Sequence, residues 1–354
     1  MQTRIRLDKI ASVTRNLRLA ADVNVTSQIE CRAGAVLAVR VIGEKSVYNQ
    51  LEDVHGRMSA LHEGDVIAGA LGHRHALQGY FGVVPKSLQA GEKIHILNLG
   101  GVLGQCLSQN PEVGAPFSAE VLGAVMAYPN FQSRDGVPAH ISMGALAPAE
   151  SLPTMAPVIY IAGTCMNAGK TLAACQLVRH LSRRGLRVGG AKLTGISLLR
   201  DTLSMQDYGA WRAVSFNETG IVTTSAETAV SATRAVFAEL MRGAPDVIVA
   251  ELGDGILGEY GVQAILQDPE LRGASAAMVL CANDPVGAWG GVELLRDRFG
   301  WAVDVVSGPA TDNEVGCRYV REELGIPAFN ARTHGTELVT LLTAKVDAAH
   351  PVSS

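Results

Sequence analysis

The sequence lacks the features that mark three classes of protein. Its 354 residues contain no uncharged apolar stretch of about 18 residues, the length that a membrane-spanning helix needs. The six cysteines form no Cys-x-x-Cys pair and no regular spacing, which argues against a zinc knuckle or a disulfide framework. Seven of the 30 basic residues are lysines and the net charge is −4, so nucleic acid is not expected as the main partner.

The composition that remains is that of a folded soluble protein. A content of 47% hydrophobic and 18% charged residues is typical of a globular protein, and 354 residues are enough to form two domains. Its first ten residues, MQTRIRLDKI, alternate charged and apolar side chains and lack the apolar segment of a secretory signal. We therefore expect a cytoplasmic protein that binds no membrane and keeps its thiols reduced.

Residues 1–127 predict a β-rich domain, because short segments rich in Val, Ile, Leu or Tyr are bounded there by Gly or Pro. Two segments share a repeat: the sequences from Leu61 and from Leu88 each place Gly and an acidic residue directly before a strand. The expected architecture is a small barrel or sandwich. The four strand segments are GAVLAVRVIG, GDVIAGALG, GYFGVVP and EKIHILNLGG.

Two further regions complete the chain. Residues 128–157 concentrate proline among small and polar residues and are predicted to be a linker. In residues 158–354, short apolar runs alternate with helical segments, as in strands that are covered on both faces. This pattern predicts an α/β domain with a doubly wound, mostly parallel sheet. The strand segments are VIYIA, LRVGGAK, DVIVA, AAMVLC and VDVVS.

The first strand of the α/β domain leads directly into a loop of sequence GTCMNAGKT and then into a helix. The glycines let the backbone wrap closely around a phosphate, the lysine can reach the β- and γ-phosphates, and the threonine hydroxyl can ligate Mg²⁺. Five residues separate the glycines, one more than in the common G-x-x-x-x-G-K-[ST] pattern. The alternative is a glycine-rich turn that only joins strand to helix. The predicted binding residues are Gly163, Thr164, Asn167, Ala168, Gly169, Lys170 and Thr171.

The longer loop resembles the G-T-x-x-x-x-G-K-T loop of dethiobiotin synthetase and of the cobyrinic and cobyric acid synthases. Metal-insertion GTPases belong more distantly to the same branch of P-loop proteins. AKLTG (191–195) is similar to that family's Lys-Pro-x-x-x-Gly element, in which the lysine faces the substrate and the transferred phosphate. In RDTLSMQDYGA, Asp201 and Asp207 are both candidates for the family's magnesium-binding aspartate. ELGDG (251–255) resembles Glu-Gly-Ala-Gly-Gly, with Leu252 and Asp254 as departures.

This resemblance covers about residues 158 to 340 and implies an enzyme that uses ATP and Mg²⁺. The implied reaction is phosphorylation of a small molecule, often a carboxylic acid, on the way to an amide or related bond, as in ligases. A homodimer is possible because relatives build sites across subunits. The implied catalytic residues are Lys170, Lys192 and Glu251, and the implied Mg²⁺ ligands are Thr171, Asp201, Asp207 and Glu251.

Simpler structural roles compete with these assignments. Lys192 could be a solvated lysine beside a turn, and Glu251 an ion-paired acid. Asp254 lies between two glycines, where an aspartate is often only a turn residue.

The choice of nucleotide base depends on the residues after the fourth strand of the α/β domain. In the GTPase relatives, an Asn-Lys-x-Asp motif near this point reads guanine through its lysine and aspartate. Here Asn283 and Asp284 are present, but no lysine occurs between Lys192 and Lys345. This absence favours ATP over GTP, and Asn283 is a candidate contact to either base.

The alternative function is that of a nucleotide-switched assembly or metal-delivery protein, in which slow hydrolysis changes contacts of the β-rich domain. His73 and His75 share one face if they lie on a strand, so they could supply two metal ligands. A third ligand is not evident, and the same sequence also fits a hairpin turn.

Overall fold

The computed structural model describes residues 2–129 and 135–349, so residues 130–134 of the predicted linker lie outside the described residues. By its internal contacts the chain divides into two compact units, a β-rich unit and an α/β unit. Of the described residues, the β-rich unit comprises 2–129, 135–146, Ile196–Arg200 and Asn217–Thr223, and the α/β unit comprises Ala147–Gly195, Asp201–Phe216 and 224–349.

The β-rich unit consists of short strands, with 3₁₀ helices at Ser12–Leu17 and Pro111–Val113. All four strand segments predicted from the sequence form strands, namely β4, β7, β9 and β10 in chain order. The strands are β1 (Gln2–Arg6), β2 (Lys9–Ile10), β3 (Asp22–Thr26), β4 (Val36–Ile42), β5 (Gln50–Glu52), β6 (Met58–Ala60), β7 (Val66–Leu71), β8 (Arg74–His75), β9 (Tyr80–Val83), β10 (Lys93–Ile96), β11 (Val102–Gln109), β12 (Phe117–Ala127) and β13 (Val137–Pro138).

The strand pairing closes a ring. Strand β12 pairs with β4, β4 with β7, β7 with β11, β11 with β10, and β10 with β12 again. A sheet that returns to its own first strand is a barrel, so the barrel forms rather than the sandwich. Its interior is a single apolar cluster that includes the fully buried side chains of Leu37, Val39, Ile67, Leu71 and Leu103.

The internal repeat of the sequence corresponds to a repeated turn. Gly64 and Gly91 both have a φ of +89°, a left-handed conformation that glycine adopts without steric cost. The amide of Gly64 donates to the carbonyl of Val41 at 3.0 Å, and the amide of Gly91 donates to that of Val121 at 2.8 Å. Each copy therefore starts a barrel strand, β7 or β10, from the same kind of anchored turn.

The β-rich unit extends beyond the predicted boundary at residue 127. Strand β13 pairs with β12, and the ring of His140 lies so close to Gly34 that a Cβ there would be 2.5 Å from Nε2. His140 Nε2 also hydrogen-bonds the carbonyl of Ala33 at 2.8 Å. Residues 137–146, predicted to be linker, are thus held in this unit by strand pairing and packing that their proline content does not reveal.

Two stretches from the second half of the chain also belong to the β-rich unit, Ile196–Arg200 and Asn217–Thr223. They bond to each other, since the amide of Ser197 donates to the carbonyl of Val222 at 2.8 Å. Val222 is 2% exposed and lies in the core of the barrel cluster. The carbonyl of Ser197 accepts a hydrogen bond from Asn98 Nδ2 at 2.8 Å. The β-rich unit is therefore built from three separate pieces of the sequence.

The α/β unit contains one parallel sheet of six strands in the order β16-β15-β17-β14-β18-β19. All five strand segments predicted here are formed, and β16 is an additional edge strand. Short 3₁₀ helices lie at Phe216–Thr219 and Pro309–Thr311. The strands and helices are β14 (Val158–Gly163), α1 (Lys170–Arg183), β15 (Val188–Lys192), α2 (Arg200–Asp207), β16 (Arg212–Ser215), α3 (Ala229–Met241), β17 (Val247–Glu251), α4 (Val262–Gln267), α5 (Pro269–Gly273), β18 (Ser275–Cys281), α6 (Pro285–Phe299), β19 (Val305–Ser307), α7 (Glu314–Glu323) and α8 (Gly335–Ala349).

The sequence determines where α1 begins and ends. Gly169, with a φ of +91°, precedes its first residue, and Gly185, with a φ of +87°, follows its last turn. The amide of Leu186 donates back to the carbonyl of Leu181 at 3.3 Å, which closes the C-terminal end. One face of α1, with Leu177, is buried against the sheet. In the part of the chain that the structure describes, no helix has both the length and the hydropathy for crossing a membrane.

Glu52 on β5 offers a test of how the β-rich unit is assembled. Its carboxylate is fully buried and accepts hydrogen bonds from the amides of Leu199 at 2.7 Å and Arg200 at 3.0 Å. We expect Glu52→Ala to lower the free energy of unfolding by about 3 kcal/mol, because two amides lose a charged acceptor. Urea denaturation followed by circular dichroism measures this change.

The exposed Glu63 supplies the matched control, and Glu63→Ala should shift the urea midpoint little. Glu52→Gln keeps one carbonyl acceptor and should fall between the wild type and Glu52→Ala. Equal midpoints for Glu52→Ala and Glu63→Ala would show that the buried carboxylate does not hold the segment.

Candidate functional site

The predicted phosphate loop joins the end of β14 to the start of α1 at the carboxyl edge of the parallel sheet. Asn167 and Gly169 have φ angles of +60° and +91°, and these left-handed residues are separated by the buried Ala168. Left-handed residues interrupting a turn direct neighbouring N–H groups to one side, the arrangement that forms an anion-binding nest. The N-terminus of α1 adds the positive end of its dipole to this nest.

Neighbouring elements hold the loop in this shape. The amide of Thr164 donates to the carbonyl of Cys281 at the end of β18, at 3.0 Å. The amide of Ile256, after β17, donates to the carbonyl of Gly163 at 2.9 Å. On the other side, a Cβ on Gly169 would lie 3.3 Å from the Cα of Gly308, after β19. Three strand ends of the sheet therefore support the loop.

Lys170 folds back across the loop. Its Nζ donates a hydrogen bond to the carbonyl of Cys165 at 2.7 Å, and the side chain is 5% exposed. A Cβ on Gly163 would lie 2.7 Å from Lys170 Cδ, so the lysine can follow this path because residue 163 has no side chain. Burial lowers the pKa of Lys170, and the negative charge of Glu251 opposes this shift in part. The ammonium group is thus held over the loop by a backbone carbonyl, and it forms no ion pair with a carboxylate within residues 2–129 and 135–349.

Lys192, at the end of β15, lies in a buried network of charges. Its Nζ is 2.6 Å from Glu251 Oε1 and 2.8 Å from Asp201 Oδ2. Burial by itself would lower the pKa of Lys192, but the two carboxylates outweigh that effect and raise it. Lys192 is therefore a charged, ion-paired group and not the solvated lysine of the simpler interpretation.

Glu251 connects this network to the phosphate loop. The side chain is 1% exposed, and its Oε1 also accepts a hydrogen bond from the hydroxyl of Thr171 at 3.0 Å. Its other oxygen, Oε2, is buried and has no hydrogen-bond partner among the residues that the structure describes. A buried carboxylate oxygen beside a hydroxyl is the kind of donor pair that Mg²⁺ binds, so Thr171 and Glu251 fit the predicted metal. Glu251 is also ion-paired with Lys192, so its two predicted roles, metal ligand and ion-paired acid, do not exclude each other.

The structure separates the two aspartates between which the sequence could not choose. Asp201 lies in the first turn of α2 and joins Lys192, whereas Asp207 is exposed at the last residue of the same helix. Asp201 is thus the candidate that lies with Glu251, and Asp207 lies outside the cluster. Their assignment as Mg²⁺ ligands stays a prediction.

The residues expected near the base have structural partners. Asn283 Nδ2 donates to the Sγ of Cys165 in the phosphate loop, at 3.0 Å. Asp284 caps α6, because its Oδ1 accepts a hydrogen bond from the amide of Gly287 at 2.7 Å. Asn283 is therefore placed beside the loop, while Asp284 has a helix-capping role.

The two histidines considered as metal ligands do not form a cluster. The rings of His73 and His75 are 6.0 Å apart between centroids, and burial lowers the pKa of His73. Across residues 2–129 and 135–349, no group of three or more His, Cys, Asp or Glu side chains could hold a metal ion. Any metal at the phosphate loop would accordingly need ligands beyond these side chains.

Asp254 is a residue of the site that the sequence suggested only as a turn residue. It follows β17 by three residues and has a φ of +74° between two buried glycines. Burial raises the pKa of Asp254, while the amide of Gly255 and the charges of Lys170 and Lys192 oppose the shift. The departure from glycine at this position of the ELGDG segment was the available signal.

Comparisons with known proteins found only distant similarity. No family model matches the chain, and no curated protein matches it. The signal recognition particle receptor FtsY from Elizabethkingia anophelis is similar over 54% of this chain and 67% of its own, at 12% identity and a TM-score of 0.39. A DUF1611 family protein from Anabaena variabilis matches 56% of this chain and 63% of its own, at 14% identity and a TM-score of 0.35.

The hydrogenase maturation factor HypB from Archaeoglobus fulgidus matches 55% of this chain and 77% of its own, at 14% identity and a TM-score of 0.30. Similarities at these identities and TM-scores carry no argument about the fold or the activity of this chain. The P-loop fold of the α/β unit rests on its own geometry: a buried parallel strand, a phosphate loop with Gly169-Lys170-Thr171, and a helix.

The buried network predicts a large effect on stability. We expect Lys192→Met to lower the free energy of unfolding by about 3–5 kcal/mol, because Glu251 would remain buried without its cation. The control is Lys345→Met, since Lys345 is half exposed in its ion pair with Asp304 and should contribute about 1 kcal/mol or less. Chemical denaturation measures both values.

A second variant distinguishes the unpaired charge from lost packing. Lys192→Met combined with Glu251→Leu should recover part of the loss, because the uncompensated buried carboxylate is removed. No recovery in the double variant, or equal losses for the Lys192 and Lys345 variants, would contradict the burial argument.

Proposed function

We propose that this protein binds a nucleoside triphosphate, ATP by preference, together with Mg²⁺, and hydrolyses its terminal phosphate. The observation that carries the proposal is the convergence of Lys170, Thr171 and Glu251 at the loop between β14 and α1. Phosphoryl transfer depends mainly on positioned cations and N–H donors, because negative charge spreads over the oxygens of the transferring group. The loop supplies both.

Each group has a distinct part in binding. The loop amides and the N-terminus of α1 would hold the phosphate oxygens, and Lys170 would exchange the carbonyl of Cys165 for the β- and γ-phosphates. The hydroxyl of Thr171 and the Oε2 atom of Glu251 would hold Mg²⁺. The metal supplies charge neutralisation on the terminal phosphates.

The preference for ATP rests on the residues after β18. No lysine is available there to stack on guanine, and the carboxylate of Asp284 is engaged with the amide of Gly287. Asn283, beside the loop, would contact the base of either nucleotide.

A nucleotide-controlled switch is the second candidate, and one observation favours it. The residues directly before Asp201, Ile196–Arg200, belong to the β-rich unit, where Glu52 accepts hydrogen bonds from Leu199 and Arg200. A change in the position of Asp201 on nucleotide binding would pull on a segment anchored one residue away. This coupling would convert hydrolysis into a change of the β-rich unit.

Titration calorimetry with ATP, GTP and a non-hydrolysable ATP analogue tests the binding site. Lys170→Ala should weaken triphosphate binding about 100-fold, or about 2.7 kcal/mol, by removing a cation from the phosphates. The exposed Lys86 provides the control, and Lys86→Ala should leave the affinity unchanged. Unchanged binding by Lys170→Ala would contradict the assignment of the loop.

Phosphate release then distinguishes hydrolysis from the ligase-type reaction that the sequence resemblance implies. Release with water as the only acceptor supports hydrolysis. Turnover that begins only after small carboxylic acids are added would instead support phosphorylation of a carboxylate.

A further inference from the structure

The loop after β17 packs against the phosphate loop and against Lys192, and it carries Asp254. A Cβ on Gly255 would lie 2.7 Å from the carbonyl of Thr164 and 3.0 Å from the Cα of Cys165. A Cβ on Gly253 would overlap the carbonyl of Thr194 and lie 2.9 Å from Lys192 Cε. Asp254 stands between these two glycines, one of which packs against the phosphate loop and the other against the Lys192 side chain.

The backbone at Asp254 is held in a conformation that does not require an aspartate. Its φ of +74° is left-handed, where a residue with a side chain is strained and glycine is not. Gly258 leaves the space that the carboxylate needs, since a Cβ there would overlap Asp254 Oδ2. A glycine at 254 would serve the turn at least as well, so the carboxylate calls for a reason other than the turn.

The charges around Asp254 leave its carboxylate available. Lys192 is engaged with Glu251 and Asp201, and Lys170 donates to the carbonyl of Cys165. Within residues 2–129 and 135–349, Asp254 forms no ion pair, although both lysines act on it electrostatically. Burial favours its neutral form, which makes the carboxylate a stronger proton acceptor than an exposed aspartate.

We infer that Asp254 is a catalytic residue of the proposed hydrolysis: its carboxylate accepts the proton of the water that attacks the terminal phosphate. The inference rests on the proposed function. The water oxygen forms a bond to the terminal phosphorus, while the bond from that phosphorus to the bridging oxygen breaks and its electron pair stays on the nucleoside diphosphate. The water proton passes to Asp254, which returns it to solvent after inorganic phosphate leaves.

A proton-accepting role for Asp254 also indicates which molecule accepts the phosphoryl group. A carboxylic acid is already ionised near neutral pH and has no proton to lose when it attacks phosphorus. Water must lose one. A proton-accepting carboxylate beside the phosphate loop therefore suits water as the acceptor, and a carboxylate acceptor would make Asp254 superfluous.

The test compares Asp254→Asn and Asp254→Gly with the wild type. Asparagine keeps the shape and tolerates the left-handed backbone, and glycine relieves the strain, so both variants should fold with an unfolding temperature at or above that of the wild type. Affinity for a non-hydrolysable ATP analogue with Mg²⁺ and the Mg²⁺ requirement should stay within about threefold. Single-turnover hydrolysis should fall about 10²- to 10⁴-fold. Glu322→Gln, an exposed acid on α7, is the control and should hydrolyse like the wild type.

Three results would overturn the inference, and they are distinguishable. Hydrolysis by Asp254→Asn at the wild-type rate removes the catalytic role while analogue binding leaves the proposed function intact. Loss of analogue or Mg²⁺ binding in the Asp254 variants makes Asp254 a binding residue instead. If the wild type binds no nucleotide, the proposed function fails and the assignment of Asp254 fails with it.

Discussion

A carboxylate that is 1% exposed must be compensated, and the α/β unit is organised around the compensation of Glu251. The parallel register of β15 and β17 places Lys192 directly beside Glu251 in the ladder. Helix α1 brings the hydroxyl of Thr171 to the same carboxylate oxygen, and α2 brings Asp201 to the other side of the lysine. Four elements therefore meet at one buried charge, which fixes the relative positions of Lys192, Thr171 and Asp201 at the edge of the sheet.

Glycines allow the backbone segments around this buried charge to pack closely. Gly163 gives Lys170 its path across the loop, and Gly253 and Gly255 let the segment after β17 lie against Lys192 and the phosphate loop. Gly308 approaches the loop from β19, where a Cβ would lie 2.9 Å from the carbonyl of Ala282. The absence of side chains at these positions allows backbone atoms of three strand ends to surround the loop. A larger residue at any of these glycines would clash with its neighbours.

The sequence predicted what depends on local pattern and missed what depends on distant partners. The strands with apolar runs and the loop ending in Lys170-Thr171 carry their own signals, and the fold confirms the strands. Strand β16 escaped prediction because it is a four-residue edge strand. The stretch Ile196–Arg200 carries no local sign that it belongs with Glu52, a residue more than a hundred positions earlier. Spacing likewise could not choose between Asp201 and Asp207, since the choice is made by Lys192 in space.

Lys170 and Lys192 are both buried at the same edge of the sheet, but their pKa values shift in opposite directions. Burial acts on both, yet the pKa of Lys170 is lowered whereas two carboxylates raise that of Lys192. A lysine that donates to an uncharged backbone carbonyl can exchange that weak acceptor for a negatively charged phosphate. A lysine held between two carboxylates would have to abandon both, and Glu251 would then be left buried without its cation. Lys170 is thus suited to bind a phosphate of the proposed nucleotide, and Lys192 is suited to hold Glu251 and Asp201 in place.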